Sequence, residues 1–347
     1  MIVVLLGIFM MVLACAMLED RFSETTRRQL FVGIIVLMAL FAGFRPEDFD
    51  KDYKNYKYLF ETADYLTVEL SFEWICTVIK LVANNVVMLF VFYSMVSLLL
   101  IYRAICRIGD RWWFLALLAY MSTGYLLHCM NQIRVGVSVG LFLLAIPHLA
   151  EGRRWRYLGL CVLATFFHYS SVITLPLVLL NNKPLGKWRF IMWCMAIPAA
   201  YAIYLLDINV ITSLPIPYIE QKFEAYEKLQ RSNNAQWSEI YVFSIQTLSK
   251  VAITYFLLWF APLIRERFPH ALMYIKVEII AMVTYIVLYT MPVLSYRVSE
   301  FFCTAEIVVF PLLAYTLRPQ WVGRGVAAMV ATLIFLLNIF GNHLVNY

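Results

Sequence analysis

Four side chains that can bind or transfer charge stand at the ends of long apolar runs in this 347-residue sequence. They are Arg45, Arg134, His168 and Arg297. Arginine stays charged and offers a planar fork of N–H donors that matches the oxygens of a phosphate. Histidine can take up or release a proton near neutral pH. If the ends of these four apolar runs lie close together in the fold, the sequence predicts a site for an anionic ligand with an acid–base group beside it.

Three carboxylates follow Arg45 in the run Asp48-Phe49-Asp50-Lys51-Asp52. Carboxylates at this spacing can hold Mg²⁺ or Mn²⁺ through oxygen ligands, but they are equally typical of a solvated loop. One of them, with Asp52 as the leading candidate, can instead act as a general base. We expect no metal ion here, because arginines can supply the positive charge.

Aromatic and polar residues around these positions are weaker candidates for substrate contacts. Tyrosine and tryptophan stack on sugar rings, but they also collect at membrane interfaces for other reasons. Glu300 lies three residues after Arg297, which is the spacing of an ion pair within a helix, so a structural pair is an alternative to a binding role there. The aromatic candidates are Tyr53, Tyr56, Tyr58, Trp237 and Tyr241.

Composition places the chain among integral membrane proteins. Apolar residues make up 63% of it and charged residues 14%, against about 45–50% and about 25% in soluble domains. The mean hydropathy is +0.75. The net charge of +6 reflects arginines in connectors and does not indicate nucleic-acid binding. The sequence has no phosphate-binding glycine loop, no HExxH and no CxxC among its seven cysteines, so we expect no cofactor and neither an ATP-driven pump nor a zinc protease.

The apolar runs predict one all-α membrane domain over residues 1–347, because about 17–25 apolar residues span a bilayer as a helix. Two external loops, at about 45–85 and 207–240, interrupt the runs. In the first, ELSFEWICTVIKLVANN predicts a helix lying partly in the membrane. In the second, Ile219, Phe223 and Tyr226 share one face of a predicted interfacial helix. The ten predicted spans are 1–18, 27–44, 86–102, 112–129, 134–150, 190–206, 240–262, 272–294, 301–317 and 326–345.

The distribution of lysine and arginine predicts the orientation. Sixteen of the 28 lie in six short connectors, which the positive-inside rule assigns to the cytoplasm. The four functional candidates then fall on the opposite, external face, where cations are normally sparse, and we expect them to line one cavity open to that face. The six connectors are 19–28, 103–111, 151–156, 182–189, 263–270 and 318–325.

The segment 157–181 decides the topology. As one continuous span it would place three basic connectors outside, against the charge rule. The favoured alternative breaks it at His168-Tyr169-Ser170-Ser171 into two short helices that enter and leave from the cytoplasm. Each would rise only about 17 Å, too little to cross a core of about 30 Å. The sequence therefore predicts a re-entrant hairpin with His168 at its tip.

The ordered motifs resemble the EpsG-type, Wzy-like polymerases of bacterial surface polysaccharides. Each motif is short, and their order and spacing carry the resemblance from about residue 40 to residue 300. The crowded acids around Asp52 leave open which carboxylate matches the family's aspartate. The matching pieces are Gly43-Phe44-Arg45, Asp52-Tyr53 with Tyr56 and Phe60, Glu69 with Phe72 and Trp74, Asn131-Gln132-Ile133-Arg134, Phe167-His168-Tyr169-Ser170-Ser171 and Tyr296-Arg297.

The resemblance implies a GT-C-like integral membrane glycosyltransferase in the bacterial inner membrane, with its active site facing the periplasm or exterior. The donor would be a glycan on undecaprenyl pyrophosphate and the acceptor a sugar hydroxyl on another lipid-linked repeat unit, with a chain-length regulator as a further candidate partner. The catalytic candidates are His168, Asp52 and Arg134. The candidates for pyrophosphate binding are Arg45, Arg134 and Arg297, and those for weaker substrate contacts are Tyr53, Tyr56, Asp50, Gln132, Tyr169, Trp237 and Glu300.

Three other functions remain open from the sequence. A ligase resembling the O-antigen ligases would use the same chemistry on a different acceptor. A membrane acyltransferase would also place a histidine in a membrane cavity. A flippase of lipid-linked oligosaccharides would show cations along a whole central cavity, whereas here the cations cluster at one face. Few charged residues lie deep within the predicted spans, among them Lys250, Lys276, Glu278 and Glu306.

Overall fold

The structure, a computed structural model, describes residues 1–65, 68–109, 111–210 and 240–345. These residues are helical nearly throughout, as apolar runs must be in a bilayer, because a helix satisfies its own backbone hydrogen bonds. The predicted helix around Ile219, Phe223 and Tyr226 falls outside the described ranges. The helices of the first half are α1 (Ile2–Leu18), α2 (Glu24–Gly43), α3 (Tyr53–Thr62), α4 (Leu70–Val82), α5 (Val86–Ile108), α6 (Trp113–Tyr120), α7 (Ile133–Ala150) and α8 (Arg154–Phe167).

Several segments depart from regular α-helix. Two π-helical turns, Met121–Tyr125 and Leu127–Asn131, prolong α6 towards α7. A 3₁₀ helix, Tyr169–Leu179, follows α8. The remaining helices are α9 (Lys187–Leu205), α10 (Ile245–Trp259), α11 (Ala261–Arg265), α12 (Ala271–Val287), α13 (Pro292–Cys303), α14 (Glu306–Val309), α15 (Leu313–Thr316) and α16 (Gln320–Leu336), which a π-helical turn, Leu337–Gly341, extends.

The predicted number of ten spans is not confirmed. Among the described residues, six helices are long and apolar enough to cross a membrane, or seven if the pair formed by 292–303 and 306–316, bent by 42°, counts as one. The predicted boundary between spans 272–294 and 301–317 is wrong: α12 ends at Val287 and α13 begins at Pro292. A proline at the start of a helix lacks only an N–H that would have no partner there. Arg297 therefore lies inside a helix and not in a connector.

The predicted break at His168 is confirmed. α8 ends at Phe167, and the 3₁₀ helix folds back against it: the Tyr157 hydroxyl donates to Thr174 O at 2.5 Å and Ser171 Oγ donates to Thr165 Oγ1 at 3.2 Å. Beyond this hairpin the chain returns to the end from which α8 began. Both arms are too short to cross a bilayer core, since 14 α-helical residues rise about 21 Å and 11 residues of 3₁₀ helix about 22 Å.

The basic connectors gather at one end of the helical bundle, as the charge distribution predicts. Arg107 pairs with Glu151 at 3.3 Å, and Arg324 pairs with Asp20. On the hairpin's return, Asn182 donates to Pro269 O at 2.8 Å. These contacts join connectors from both halves of the chain, and the four candidate side chains lie towards the opposite ends of their helices.

Helix α7 lies at the centre and carries Arg134 in its first turn. Of its 18-residue apolar window 83% is buried, against 11% for α9. Small residues allow this packing, because a Cβ atom on Gly136 would lie 2.2 Å from His128 O and one on Gly140 would lie 2.7 Å from Leu100 Cβ. This close approach fixes the start of α7 against the turn that precedes it, and with it the position of Arg134.

Candidate functional site

Glu69 is the residue on which two of the predicted site residues converge. It precedes α4 in extended conformation, and its side chain is 3% exposed. One carboxylate oxygen, Oε2, contacts the Nη1 atom of Arg134. The other, Oε1, lies 2.8 Å from Nδ1 of His168 and accepts the backbone N–H of Tyr169 at 3.3 Å. A single buried carboxylate therefore sets the distance between the arginine and the histidine.

The break in the hairpin orients His168. Its backbone is extended (φ −154°, ψ 116°), so the side chain leaves the axis of α8 and turns towards Glu69. The imidazole also stacks on Phe301 of α13, with ring centroids 6.0 Å apart and planes 10° from parallel. Contacts on the ring face and at Nδ1 hold the ring. No described residue is hydrogen-bonded to Nε2, which is the atom left for a substrate.

The ionisation of Glu69 fixes which nitrogen of His168 carries the proton. Burial raises the pKa of the Glu69 carboxyl, but the hydrogen bond from His168 and the charge of Arg134 outweigh it, so the pKa lies below its ordinary value. A carboxylate that stays ionised favours a proton on the Nδ1 atom facing it. Nε2 then carries the lone pair and can accept a hydrogen bond or a proton.

Arg134 is held by aromatic rings as well as by Glu69. Its guanidinium carbon lies 5.5 Å from the ring centre of Phe72 and 5.8 Å from that of Tyr56, within the range of cation–π attraction. The side chain is 17% exposed, and its buried Nε has no partner among the described residues. The guanidinium therefore keeps hydrogen-bonding capacity beyond the contact with Glu69.

Asp52 lies among the predicted arginines. Burial, and then the charge of Asp50, raise the pKa of the Asp52 carboxyl, while Arg134, Arg297 and Arg45 partly offset the rise. Three arginines from distant parts of the sequence are thus close enough to act on one carboxyl group. The Asp52 carboxylate has no hydrogen-bond or ion-pair partner among the described residues, so it is available to a ligand.

Arg45 is buried and fully engaged by protein groups. Its Nε pairs with Asp50, its Nη1 donates to Ala42 O at 2.7 Å and its Nη2 donates to Met130 O at 2.8 Å. The ring centre of Phe90 lies 4.1 Å from the guanidinium carbon. This geometry ties the end of α2 to the turn before α7. Direct binding of pyrophosphate by Arg45 stays a prediction.

The three aspartates that follow Arg45 have different surroundings. Asp48 lies 2.9 Å from the ammonium group of Lys54 at the surface. Asp50 uses one oxygen on Arg45 and accepts the backbone N–H of Asp52 at 3.0 Å with the other. Asp50 therefore shapes the loop that presents Asp52, and it has no oxygen directed at a ligand.

Arg297 is exposed on α13 and has no hydrogen bond or ion pair with a described residue. The alternative pairing with Glu300 is not formed: Glu300 Oε1 lies 2.8 Å from Nε2 of the buried His128 instead. That contact joins α13 to the π-helical turn before α7. Arg297 consequently has no charged partner within the described part of the chain, and it lies on the side of Asp52, on whose carboxyl group its charge acts.

The weaker candidates divide by exposure. Tyr53 and Tyr56 are buried, with the Tyr53 ring packed 4.6 Å from that of Phe90, so they support the arginines and offer no open ring face to a sugar. Tyr169 is 58% exposed beside His168, and Gln132 is half-buried immediately before α7. Trp237 lies outside the described residues. Lys250, one of the charged residues within the predicted spans, pairs with Glu306.

Sequence reasoning missed two acid–base residues that hold candidate side chains in place, Glu69 for Arg134 and His168, and His128 for Glu300. Glu69 stands in the motif ELSFEW, which carried part of the resemblance, but no role was assigned to it because its partners lie 65 and 99 residues away. His128 stands in the segment HCMNQIR ahead of Arg134. The sequence shows His128 only as a histidine among apolar residues, and such a histidine is more often a buried residue hydrogen-bonded within the core than part of a functional site.

Comparison with known proteins gives one family match. The model of the EpsG family matches residues 28–347, nearly the whole chain. No curated protein and no solved structure matches the chain. The resemblance inferred from short motifs is therefore confirmed at the level of the family.

Proposed function

The chain belongs to the EpsG family, and we propose that it is a glycosyltransferase that joins lipid-linked repeat units into a surface polysaccharide. Membership supports a role in polysaccharide polymerisation in general. The proposal adds the donor, the acceptor and the residues that act. The donor is a glycan on undecaprenyl pyrophosphate, and the acceptor is a sugar hydroxyl of a second lipid-linked unit.

The observation that carries the proposal is the sharing of Glu69 between Arg134 and His168. Transfer of a glycan needs a base at the acceptor hydroxyl and positive charge at the departing pyrophosphate. A carboxylate that holds a histidine and an arginine at its two oxygens places both groups at a fixed separation. The lipid donor accounts for a site built among apolar helices.

The arginines act on the leaving group. As the bond between the anomeric carbon and the pyrophosphate oxygen breaks, negative charge grows on the pyrophosphate. Arg134 and Arg297 stabilise that charge, and since Arg134 is already oriented, little reorganisation is needed. For Arg45, which the sequence predicts to bind pyrophosphate directly, we propose a positioning role instead, through its contacts with Asp50 and Met130.

His168 acts on the acceptor. The acceptor oxygen forms a bond to the anomeric carbon, and its proton passes to Nε2 of His168 while Nδ1–H stays on Glu69. Undecaprenyl pyrophosphate leaves with the electron pair of the broken bond. Asp52, whose carboxylate lies among the arginines and has no partner in the described ranges, orients the acceptor hydroxyl. Pyrophosphate is a good leaving group, so the reaction proceeds without a metal ion.

The orientation follows from the gathered basic connectors. The end that holds Arg107, Arg324 and Arg265 faces the cytoplasm by the positive-inside rule. Glu69, His168 and Arg134 then face the exterior of the inner membrane, where lipid-linked units are joined.

The test is reconstitution of the reaction. Purified protein is incubated with native lipid-linked repeat units, with EDTA in a parallel sample, and the products are separated by size. We expect a ladder of lengthening products in both samples and none from Arg134→Ala or His168→Ala, whereas His270→Ala at the basic end serves as the matched control and keeps activity. Transfer of a single finished chain to another acceptor would instead identify a ligase, and full activity of both variants would exclude the proposed site.

A further inference from the structure

A second cluster of ionisable groups lies deep among the helices, away from the site at Glu69. Lys250 of α10 pairs with Glu306, the first residue of α14. Glu278 of α12 approaches the same place, and one carboxyl oxygen of each glutamate lies within 4.8 Å of the other and of Cys303 Sγ. Glu278 and Glu306 are 1% and 0% exposed. The proposed reaction uses none of these groups.

The carboxyl group of Glu278 is buried without a hydrogen-bond donor from any described residue. Neither oxygen of Glu278 has a hydrogen-bond partner among the described residues. A buried polar group without a partner is costly, and a buried charge without one is costlier. One oxygen of Glu278 lies within 4.8 Å of a carboxyl oxygen of Glu306, so the missing component is one that can lie between two carboxyl oxygens.

The charges facing the cluster set what that component can be. Lys250 contributes one positive charge, and Glu278 and Glu306 would contribute two negative charges if both were ionised. Glu300, the next acid along α13, is already paired with His128. Tyr285 and Cys303 add no charge, because a phenol and a thiol are neutral while protonated. The cluster therefore needs one further positive charge to become neutral at membrane depth.

We propose that Glu278 and Glu306 share one bound proton and form with Lys250 a neutral site that braces the bend between α13 and α14. The proton turns one carboxyl oxygen into the donor that the pair lacks, while Lys250 balances the remaining carboxylate. A divalent metal ion would leave the site with a positive charge unless Cys303 also lost its proton, so the proton is the simpler occupant.

The position of this site gives the proton a structural consequence. Cys303 ends α13 and Glu306 begins α14, so the cluster lies at the bend of 42° between these helices. The same α13 carries Arg297 and also Phe301, which stacks on His168. A neutral, hydrogen-bonded cluster fixes the far end of the helix that contributes to the proposed catalytic site.

Charge neutrality makes a numerical prediction that infrared spectroscopy can test on the full-length protein. The number of protonated carboxyl groups in the cluster should equal the number of glutamates minus the number of lysines. Relative to the unaltered protein, the carboxylic-acid C=O band should lose one group in Glu278→Gln, lose one in Glu306→Gln and gain one in Lys250→Met. The exposed Glu73→Gln on α4 is the matched control and should leave the band unchanged.

The Glu278→Gln variant keeps the test decisive even if the others fail to fold, because an amide resembles a protonated carboxyl group in size and can still donate. We expect it to retain the thermal stability of the unaltered protein. A band unchanged in Glu278→Gln would overturn the proposal. So would a stoichiometric metal ion, measured by mass spectrometry of the purified protein, that Glu278→Gln removes. Neither measurement depends on polymerase activity.

Discussion

The Nδ1 atom of His168 lies 2.8 Å from Oε1 of Glu69, across 99 residues of sequence. The other oxygen of Glu69 contacts Arg134. The base and the cation of the proposed reaction are thus linked through one carboxylate, which holds the imidazole by its Nδ1 side and leaves Nε2 for the acceptor. The relationship makes Glu69 a positioning residue that should be as important as the groups it holds.

Replacing Glu69 with glutamine tests that role. The amide keeps the size of the side chain and can still accept from Nδ1–H, but it removes the charge that pairs with Arg134 and favours the Nδ1–H tautomer. We expect the rate of ladder formation to fall on the order of 10²-fold, with the pH profile altered as well. The control is Glu73→Gln, at an exposed position in the first turn of α4, the helix that follows Glu69; it should keep full activity. Normal rate and pH profile in Glu69→Gln would show that the carboxylate charge is dispensable.

Arg134 should not tolerate lysine. Lysine keeps the charge but loses the planar fork that can contact Glu69 and a phosphate oxygen together. Arg134→Lys should therefore be nearly as damaging as Arg134→Ala, with a loss of about 10²–10³ in rate, measured by ladder formation at equal protein concentration. The exposed Arg28, replaced by lysine, is the control. Substantial activity in Arg134→Lys would mean that a point charge suffices.

The hairpin at His168 could be predicted from the sequence because charge in the connectors constrains topology independently of hydropathy. The segment 157–181 is apolar enough for one span, and only the basic residues in the three connectors that follow it, at 182–189, 263–270 and 318–325, argued for a return to the same side. Hydropathy alone misplaced the boundary near Arg297, since the apolar run passes through Val287 while the helix ends there and a new one begins at Pro292.

The pairings within the site could not be predicted in the same way. Glu69 contacts Arg134 and His168 only when α4, α7 and α8 are packed together. Contacts between residues 65 and 99 positions apart cannot be inferred from their spacing in the sequence. Arg45 shows the converse case. Its type and place at the end of an apolar run are those of a ligand-binding arginine, but the fold provides Asp50, Ala42 and Met130 as partners.

Arg45 should therefore matter for stability more than for chemistry. Arg45→Ala leaves Asp50 buried without its partner, which costs about 3–5 kcal/mol of folding free energy. We expect a clearly lowered melting temperature in detergent, measured by size-exclusion chromatography after heating. Arg45→Ala combined with Asp50→Ala should recover part of the loss. A variant with unaltered melting and abolished activity would contradict the positioning role and place Arg45 at the pyrophosphate.

His168 should be required for its basicity and not only for a hydrogen bond. Glutamine can occupy the site and form hydrogen bonds but cannot accept a proton at neutral pH. His168→Gln should lose about 10²–10⁴ in rate, the typical contribution of a general base, while the protein level in the membrane stays normal. His270→Gln, at the basic end of the bundle, is the control. If His168→Gln keeps most of the activity, proton transfer must pass to another group.

Asp52 should determine the acidic side of the pH profile. Its pKa is raised by burial and by Asp50. On acidification the carboxyl group therefore becomes protonated at a pH above the ordinary aspartate pKa of about 3.9. Since the proposal requires the ionised form, kcat/KM should fall with decreasing pH in that higher range. The charge of Arg297 partly opposes the rise, so Arg297→Gln should move the fall to higher pH, whatever its effect on the maximal rate.

The controls for Asp52 separate its charge from its size. Asp52→Asn preserves the shape and should lower activity at pH values above the acidic fall, because the amide cannot carry the charge that orients the acceptor hydroxyl. Arg28→Gln, on the exposed surface of α2, should leave the profile where it is. An acidic limb that stays in place in Arg297→Gln, or an Asp52→Asn variant with full activity, would remove Asp52 from the mechanism and leave the acceptor to His168, held in place by Glu69.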